Sequence, residues 1–294
     1  LDQRADGFGD RTAKKDQGRG DLNMLIIMTI FVVTLAIGIP IAFVLAIVGS
    51  VHLLFIDSGY LLQLPQRIFV TASNYNLIAI PMFILAGDLM NLSGDVDRLL
   101  RLSRSLVGKI KGGMAYVLII FGFLLGGPLG SANAEAAMLS TTLYPKMREE
   151  GYGDTFLAGL ISSISICGPL IPPGMLMVIY GVASGVSIKA LFLAGIMPAV
   201  YLALALSIVV FFSGRKQNWP RTEFCGWGEV ARSFRAAFIS LALPVMVLLF
   251  IAIGICTPTE AAAVMAALFL LNGMFNYRTI KIKDVYNLCL KAGT

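Results

Sequence analysis

Stretches built almost wholly from apolar residues recur along this chain at 24–56, 77–92, 113–147, 155–184, 186–212, 236–256 and 258–274, separated by short charged connectors. About 20 such residues cross a hydrocarbon core of about 30 Å as one α-helix. Within lipid every backbone amide and carbonyl must be satisfied internally, which leaves helices and closed barrels. Barrel strands would alternate apolar and polar residues with a period of two, and these runs are continuous. The expectation is an all-α, polytopic helical membrane protein, multi-pass and in contact with membrane lipid. Charged residues make up 14% of the chain, against about 25% in a soluble domain.

The basic residues behind the formal net charge of +6 are scattered over the connectors. Nucleic-acid binding would gather them on one soluble face, so it is excluded in favour of a positive-inside topology. The loop 214–235, with Arg215, Lys216, Arg221, Arg232 and Arg235, is placed in the cytoplasm. Arg278, Lys281 and Lys283 return to that side two crossings later, and the Lys109/Lys111 and Lys146/Arg148 connectors share it. Cys167, Cys225, Cys256 and Cys289 are far apart without metal-ligand spacing and read as small packing residues.

Residues 1–23 are polar and lack the apolar core of a signal peptide. They are expected either to precede a natural start at Met24 or to be a linker from a preceding membrane domain. The run 24–56 would measure about 50 Å as one helix, and Gly38 with Pro40 divides it. In SGDVDRLLRLSRSLVGKIKGG, Leu99, Leu102 and Leu106 share a face while Arg98, Arg101, Arg104 and Lys109 reach water, the pattern of a helix in the membrane interface.

Two polar breaks interrupt otherwise apolar segments. The first, GGPLGSANAEAAM, lies mid-way in a segment that starts and ends on the same side, as a re-entrant hairpin would. Glycine and proline at its tip leave backbone groups unpaired unless protein or a water-filled cavity surrounds them. The second, SICGPLIPPGM, cannot continue a helix through Gly168, Pro169, Pro172, Pro173 and Gly174, and predicts a discontinuous helix. Free half-helix ends offer carbonyls to a hard cation and amides to a carboxylate. Ser131 and Asn133 add side-chain oxygens, and the backbone around Gly130, Gly168 and Leu170 adds carbonyls, so these form the expected ion site. Two roles fit Glu135: a ligand of that ion, or a negative charge capping the second hairpin arm. Kinked helices packed through small residues would explain the same composition without any ion.

In CTPTEAAAV, Thr257 and Glu260 fit a capping box with Pro258 at the first helical position and Thr259 following it. IGIPIAFVLAIVG near the start has the same proline-led arrangement, as the start of an inverted repeat would. His52 reads as a helix-end residue, and Asp88 as an acid near the cytoplasmic end of its span.

At IPMFILAGDLMN, GSANAEAAM, YPKMREEGYGDTFLAG, GPLIPPGMLMVIYGVASGVSIKALFLAGIMP and TPTEAAAV the chain resembles the large membrane subunit of tripartite ATP-independent periplasmic (TRAP) transporters, the DctM-type family. The resemblance covers nearly all of 24–294. It implies an elevator-type, sodium-coupled importer of an organic acid anion, a dicarboxylate or sugar acid, with a small membrane subunit and a periplasmic substrate-binding protein as partners. It also implies a bacterial inner-membrane location and no cofactor beyond sodium as the coupling ion, the metal of the site. The family's sodium and substrate region maps onto Gly130, Ser131, Asn133 and the 168–174 break, so Ser131, Asn133, Pro172, Pro173 and Gly174 are the implied substrate contacts. This chain has Leu129-Gly130-Ser131 where the family often has serine-glycine-serine, one hydroxyl fewer. The family's second half, with a second hairpin, would follow Thr294, so the chain reads as C-terminally truncated: a first repeat plus the start of a second.

The expected organisation is a polar extension at 1–23, scaffold helices and an interfacial arm at 24–112, a transport hairpin and broken helix at 113–184, and further membrane helices at 185–294. No phosphate-binding GxxxxGK[ST] loop and no HExxH motif occurs, so an enzyme is not expected. An ion gradient would drive the work, at about 2.3 kcal/mol per charge per 100 mV. The competing functions are a sodium/carboxylate symporter or anion efflux carrier that needs no binding protein, and an inactive structural fragment.

Overall fold

The computed structural model describes residues 23–107, 110–217, 219, 226–281, 284–286, 288 and 290, apart from the side chain of Ser58. Residues 1–22, Lys109, Arg221, Cys225, Lys283 and Cys289 lie outside these. All regular structure among the described residues is helical, as a polytopic membrane protein requires. Four helical stretches are long and apolar enough to cross a membrane: Tyr75–Leu92, Ile188–Lys216, Trp227–Ile253 and Pro258–Asn276. A bent pair, Asp154–Leu170 with Met175–Ser184, qualifies as a fifth.

The chain divides into two compact units, Leu1–Ser73 and Asn74–Thr294. In the first, α1 (Asn23–Ala36) and α2 (Ile41–Ile56) are separate helices. Gly38 takes a positive φ of 85° between them, and Pro40 precedes α2 with an extended ψ. Helix α3 (Leu64–Ala72) follows a short 3₁₀ turn, Ser58–Gln63. Val44 is the one buried residue of α2, and His52 is exposed near its end. An all-round apolar helix with so little protein cover is suited to lipid or to another protein surface.

The second unit holds α4 (Ala79–Leu92), α5 (Asp95–Leu106), α6 (Gly113–Leu129), α7 (Ala132–Thr142), α8 (Tyr144–Glu149), α9 (Asp154–Ile164), α10 (Cys167–Leu170), α11 (Met175–Ser184), α12 (Ile188–Lys216), α13 (Trp227–Ile253) and α14 (Pro258–Leu271). Helix α4 packs along α14, α5 against α13 and α6, and α10 against α6. Its core includes Phe83, Leu118, Phe121, Leu125, Phe192 and Phe269. Phe83 and Phe192 meet edge to face at 6.4 Å, a favoured aromatic geometry.

Helix α5 departs from the expected interfacial pattern. Leu99 and Leu102 are buried, but the cover is protein from α6 and α13, and Leu106 is exposed. Arg98 does not stand free in water: its guanidinium lies 3.3 Å from the centroid of the Tyr277 ring. The residue that reorganises this face is Asp95, fully buried, which accepts hydrogen bonds from Ser93 and, at 2.6 Å, from Ser240 of α13. Arg98 Nη1 lies 3.7 Å from the same carboxylate. A buried charge is tolerated when donors surround it, and these donors come from three parts of the chain.

Trp219 pins the connector after α12. It is buried, stacks on Tyr152 at 4.7 Å, meets Phe156 at a tilt of 47° and 4.8 Å, and lies against Gly112 and Gly214. Burial holds the Tyr152 hydroxyl well above the usual tyrosine range. Cys167 and Cys256 are free.

Candidate functional site

Helices α6 and α7 form the two arms of a hairpin, and Gly130 makes its turn. With φ 59°, Gly130 sits in the left-handed region that closes helix C-termini, and its amide donates to the Gly126 carbonyl at 2.9 Å. Ser131 is extended and opens α7, its side chain making no capping hydrogen bond. The second break follows α9. Ser165 ends that helix, α10 lasts a single turn, and after the buried Pro172, Pro173 and Gly174 the chain restarts as α11. The axis bends by 51° across this break.

The structure brings these two irregular segments into direct contact. A β-carbon at Gly127 would fall 2.8 Å from the Pro172 carbonyl oxygen, and one at Gly126 would fall 3.1 Å from that of Cys167. One at Gly168 would meet the Ser131 carbonyl oxygen at 3.1 Å, and one at Gly130 the Met175 amide nitrogen at 3.1 Å. Helix α4 closes the same junction, since a β-carbon at Gly87 would lie 2.7 Å from the Pro128 carbonyl oxygen. Glycine permits this because it carries no side chain to hold the backbones apart.

Gly130, Ser131, Gly168, Pro173 and Gly174 thus belong to one cluster. Glu135 joins it from the first turn of α7, fully buried between Gly122 of α6 and Gly168 of α10. Neither of its carboxylate oxygens accepts a hydrogen bond. Buried carboxylates are ordinarily paired or hydrogen-bonded, so this one stands out. Asn133 is exposed on α7, and the Leu170 carbonyl is turned against Gly195 of α12.

Thr257 to Glu260 lie at the start of α14 rather than at the hairpin tip. The Thr257 amide donates to Glu260 Oε2 at 2.8 Å, and the Glu260 amide donates to Thr257 Oγ1 at 3.3 Å, a complete capping box with Pro258 beside it. Thr259 is buried against the core. Asp88 is half-buried in α4. Gly126 and Gly127 open the GGPLGSANAEAAM break, whereas Gly87 and Gly122, which also form the junction, belong to neither polar break. Their signal was only an excess of glycine within apolar helices, which small-residue packing also produces.

Residues 28–294 match the family model described as "Tripartite ATP-independent periplasmic transporter, DctM component". The chain is 37% identical over 246 residues to the sialic acid TRAP transporter large permease protein SiaM of Vibrio cholerae, covering 84% of this chain and 58% of that one. It is 35% identical over 243 residues to the C4-dicarboxylate TRAP transporter large permease protein DctM of the same species, covering 82% and 54%. With the sialic acid TRAP transporter permease protein SiaT of Haemophilus influenzae it shares 32% identity over 273 residues, 93% of this chain and 44% of that protein. The chain spans about half the length of these curated relatives. The apolar helices and these matches make it a multi-pass inner-membrane protein. On this fold and these similarities, the chain belongs to the DctM component family of tripartite ATP-independent periplasmic transporters.

Proposed function

We propose that the chain forms the first part of the large permease subunit of a sodium-coupled secondary transporter, which imports an organic acid anion delivered by a periplasmic binding protein. A small membrane subunit is its partner in the bilayer. The relatives' names supply the substrate class: sialic acid, C4-dicarboxylates and 2,3-diketo-L-gulonate are carried by the proteins so named. The observation that carries the reading is the contact between the α6–α7 turn and the α10–α11 break. Broken helices meeting at a common point present amides to an anion and carbonyls to a cation. The unpaired Glu135 carboxylate beside that point supports its role as a ligand of the sodium ion rather than as a cap. Ser131, Asn133 and the 168–174 break complete the ion and substrate region. In this reading 113–184 is the transport hairpin and broken helix, 24–112 holds the scaffold helices and arm, and 185–294 holds further membrane helices.

The test is uptake of a labelled organic acid into liposomes holding the intact large subunit with its small subunit, with and without binding protein, under an inward sodium or potassium gradient. Uptake that requires both sodium and the binding protein is expected. Equal uptake under potassium would overturn sodium coupling. Sodium-driven uptake without the binding protein would make the chain part of a simple symporter instead.

A further inference from the structure

Helix α10 is a single turn, Cys167–Leu170, too short to hold itself by its own hydrogen bonds, so its neighbours decide where it lies. The two prolines after it remove further partners. In an α-helix the Gly168 and Pro169 carbonyls would accept from the amides of residues 172 and 173, and proline has none. The Leu170 carbonyl would turn to residue 174, but Gly174 is extended, and no amide among the described residues donates to that carbonyl.

The Leu170 carbonyl ends on α12 instead. A β-carbon at Gly195 would fall far inside contact distance of the Leu170 carbonyl oxygen and of the Met177 methyl carbon. Gly195 is buried within α12 and its backbone is ordinary helix, so no turn calls for glycine there. Glycine is disfavoured inside a helix, and the requirement at this position is the approach of another backbone. The α-carbon hydrogens it presents are weak donors to a carbonyl at such helix contacts.

The same turn of α10 meets the hairpin two residues earlier. Gly168 lies against the Ser131 carbonyl and the Glu135 carboxylate. Helix α10 is thus held by the hairpin at one residue and by α12 at another. A displacement at Leu170 passes to Gly168 through less than one turn of backbone.

We propose that Gly195 is a positioning residue of the ion and substrate region: it seats the Leu170 carbonyl on α12 and thereby fixes where α10 presents Gly168 to the hairpin, without itself touching the ion. The inference rests on the reading of that region given above, and it extends control of the site to a helix that supplies none of its expected ligands.

The test separates two obstacles that Gly195→Ala would meet. The Met177 side chain can swing aside, whereas the Leu170 carbonyl is backbone. Met177→Ala removes the first, so Gly195→Ala placed in the Met177→Ala protein isolates the second and keeps the helix packed. Both are compared in liposomes holding the intact large subunit with its small subunit and binding protein. Met177→Ala alone is expected to keep the parent's sodium curve. Adding Gly195→Ala is expected to raise the sodium concentration of half-maximal uptake about tenfold while maximal uptake per folded protein stays within about twofold, since small misplacements of a preorganised site are felt on this scale. Amide exchange of the purified complex, read by mass spectrometry without sodium, is expected to be faster over 165–176 in the double variant than in Met177→Ala.

A sodium curve equal to that of Met177→Ala would overturn the assignment, as would unchanged exchange over 165–176. A fall in maximal uptake at unchanged half-saturation would make Gly195 a packing residue of the fold and nothing more. Uptake indifferent to sodium in the parent itself would instead overturn the transport reading, and the exchange measurement would then decide by itself whether α12 seats α10.

Discussion

The Glu135 carboxylate occupies the space that a side chain at Gly168 would need: a β-carbon there would fall 2.8 Å from Oε2 and 3.0 Å from the Ser131 carbonyl carbon. The second obstacle is backbone and cannot swing aside. Gly168→Ala is therefore expected to destabilise the chain by about 1–3 kcal/mol, the usual range for overpacking, and to abolish uptake by the intact permease. Thermal unfolding of the purified variant reads the first effect, and an unchanged midpoint would refute the close contact.

Removing the Ser240 hydroxyl leaves a fully buried Asp95 with one donor fewer. Ser240→Ala should cost about 1–3 kcal/mol, as for a buried acceptor deprived of its partner. Denaturant titration in detergent measures this. A loss no larger than that of an exposed control such as Ser184→Ala would show that Asp95 finds another donor.

Asn133 is exposed on α7, so Asn133→Leu is expected to express and fold as the parent does. In the intact permease its sodium dependence should weaken, with half-saturation moving to higher sodium. Identical sodium curves for the two proteins would remove Asn133 from the ion site.

At the start of α14, Thr257→Ala removes the hydroxyl arm of the capping box, leaving the backbone amide at 257 to donate to Glu260, and should cost about 1 kcal/mol. Thr257→Ser keeps the hydroxyl and should cost far less. The comparison is made by thermal unfolding, and equal losses would mean that the methyl group, not the cap, is what matters.

The breaks at Gly38, Gly130 and Pro172 were legible because glycine and proline act on their own backbone, a local effect that any sequence window contains. The same holds for the Thr257–Glu260 box, whose partners are three residues apart. Tertiary facts were not legible. Periodicity marked Leu99 and Leu102 as a covered face, but whether lipid or α13 covers it depends on residues more than a hundred positions away. Asp95 and Ser240 are separated by 145 positions, and neither type announces a buried pair. Glu135 drew notice as an acid in an apolar segment, but its lack of a donor depends on α6 and α10 closing over it. Asn133 shows the opposite limit: helix phase in a short arm leaves its side chain exposed while that of Glu135, two residues on, is buried.

The junction of hairpin and broken helix, made of glycine against carbonyl, has a thermodynamic consequence. An ordinary helix contact freezes side-chain rotamers on both surfaces, at up to about 2 kcal/mol for each long side chain. Glycine has no rotamers to freeze. The two broken segments can therefore meet by ordering few side chains, chiefly Ile171 and Glu135, so warming offers that seam little hidden disorder to regain by parting.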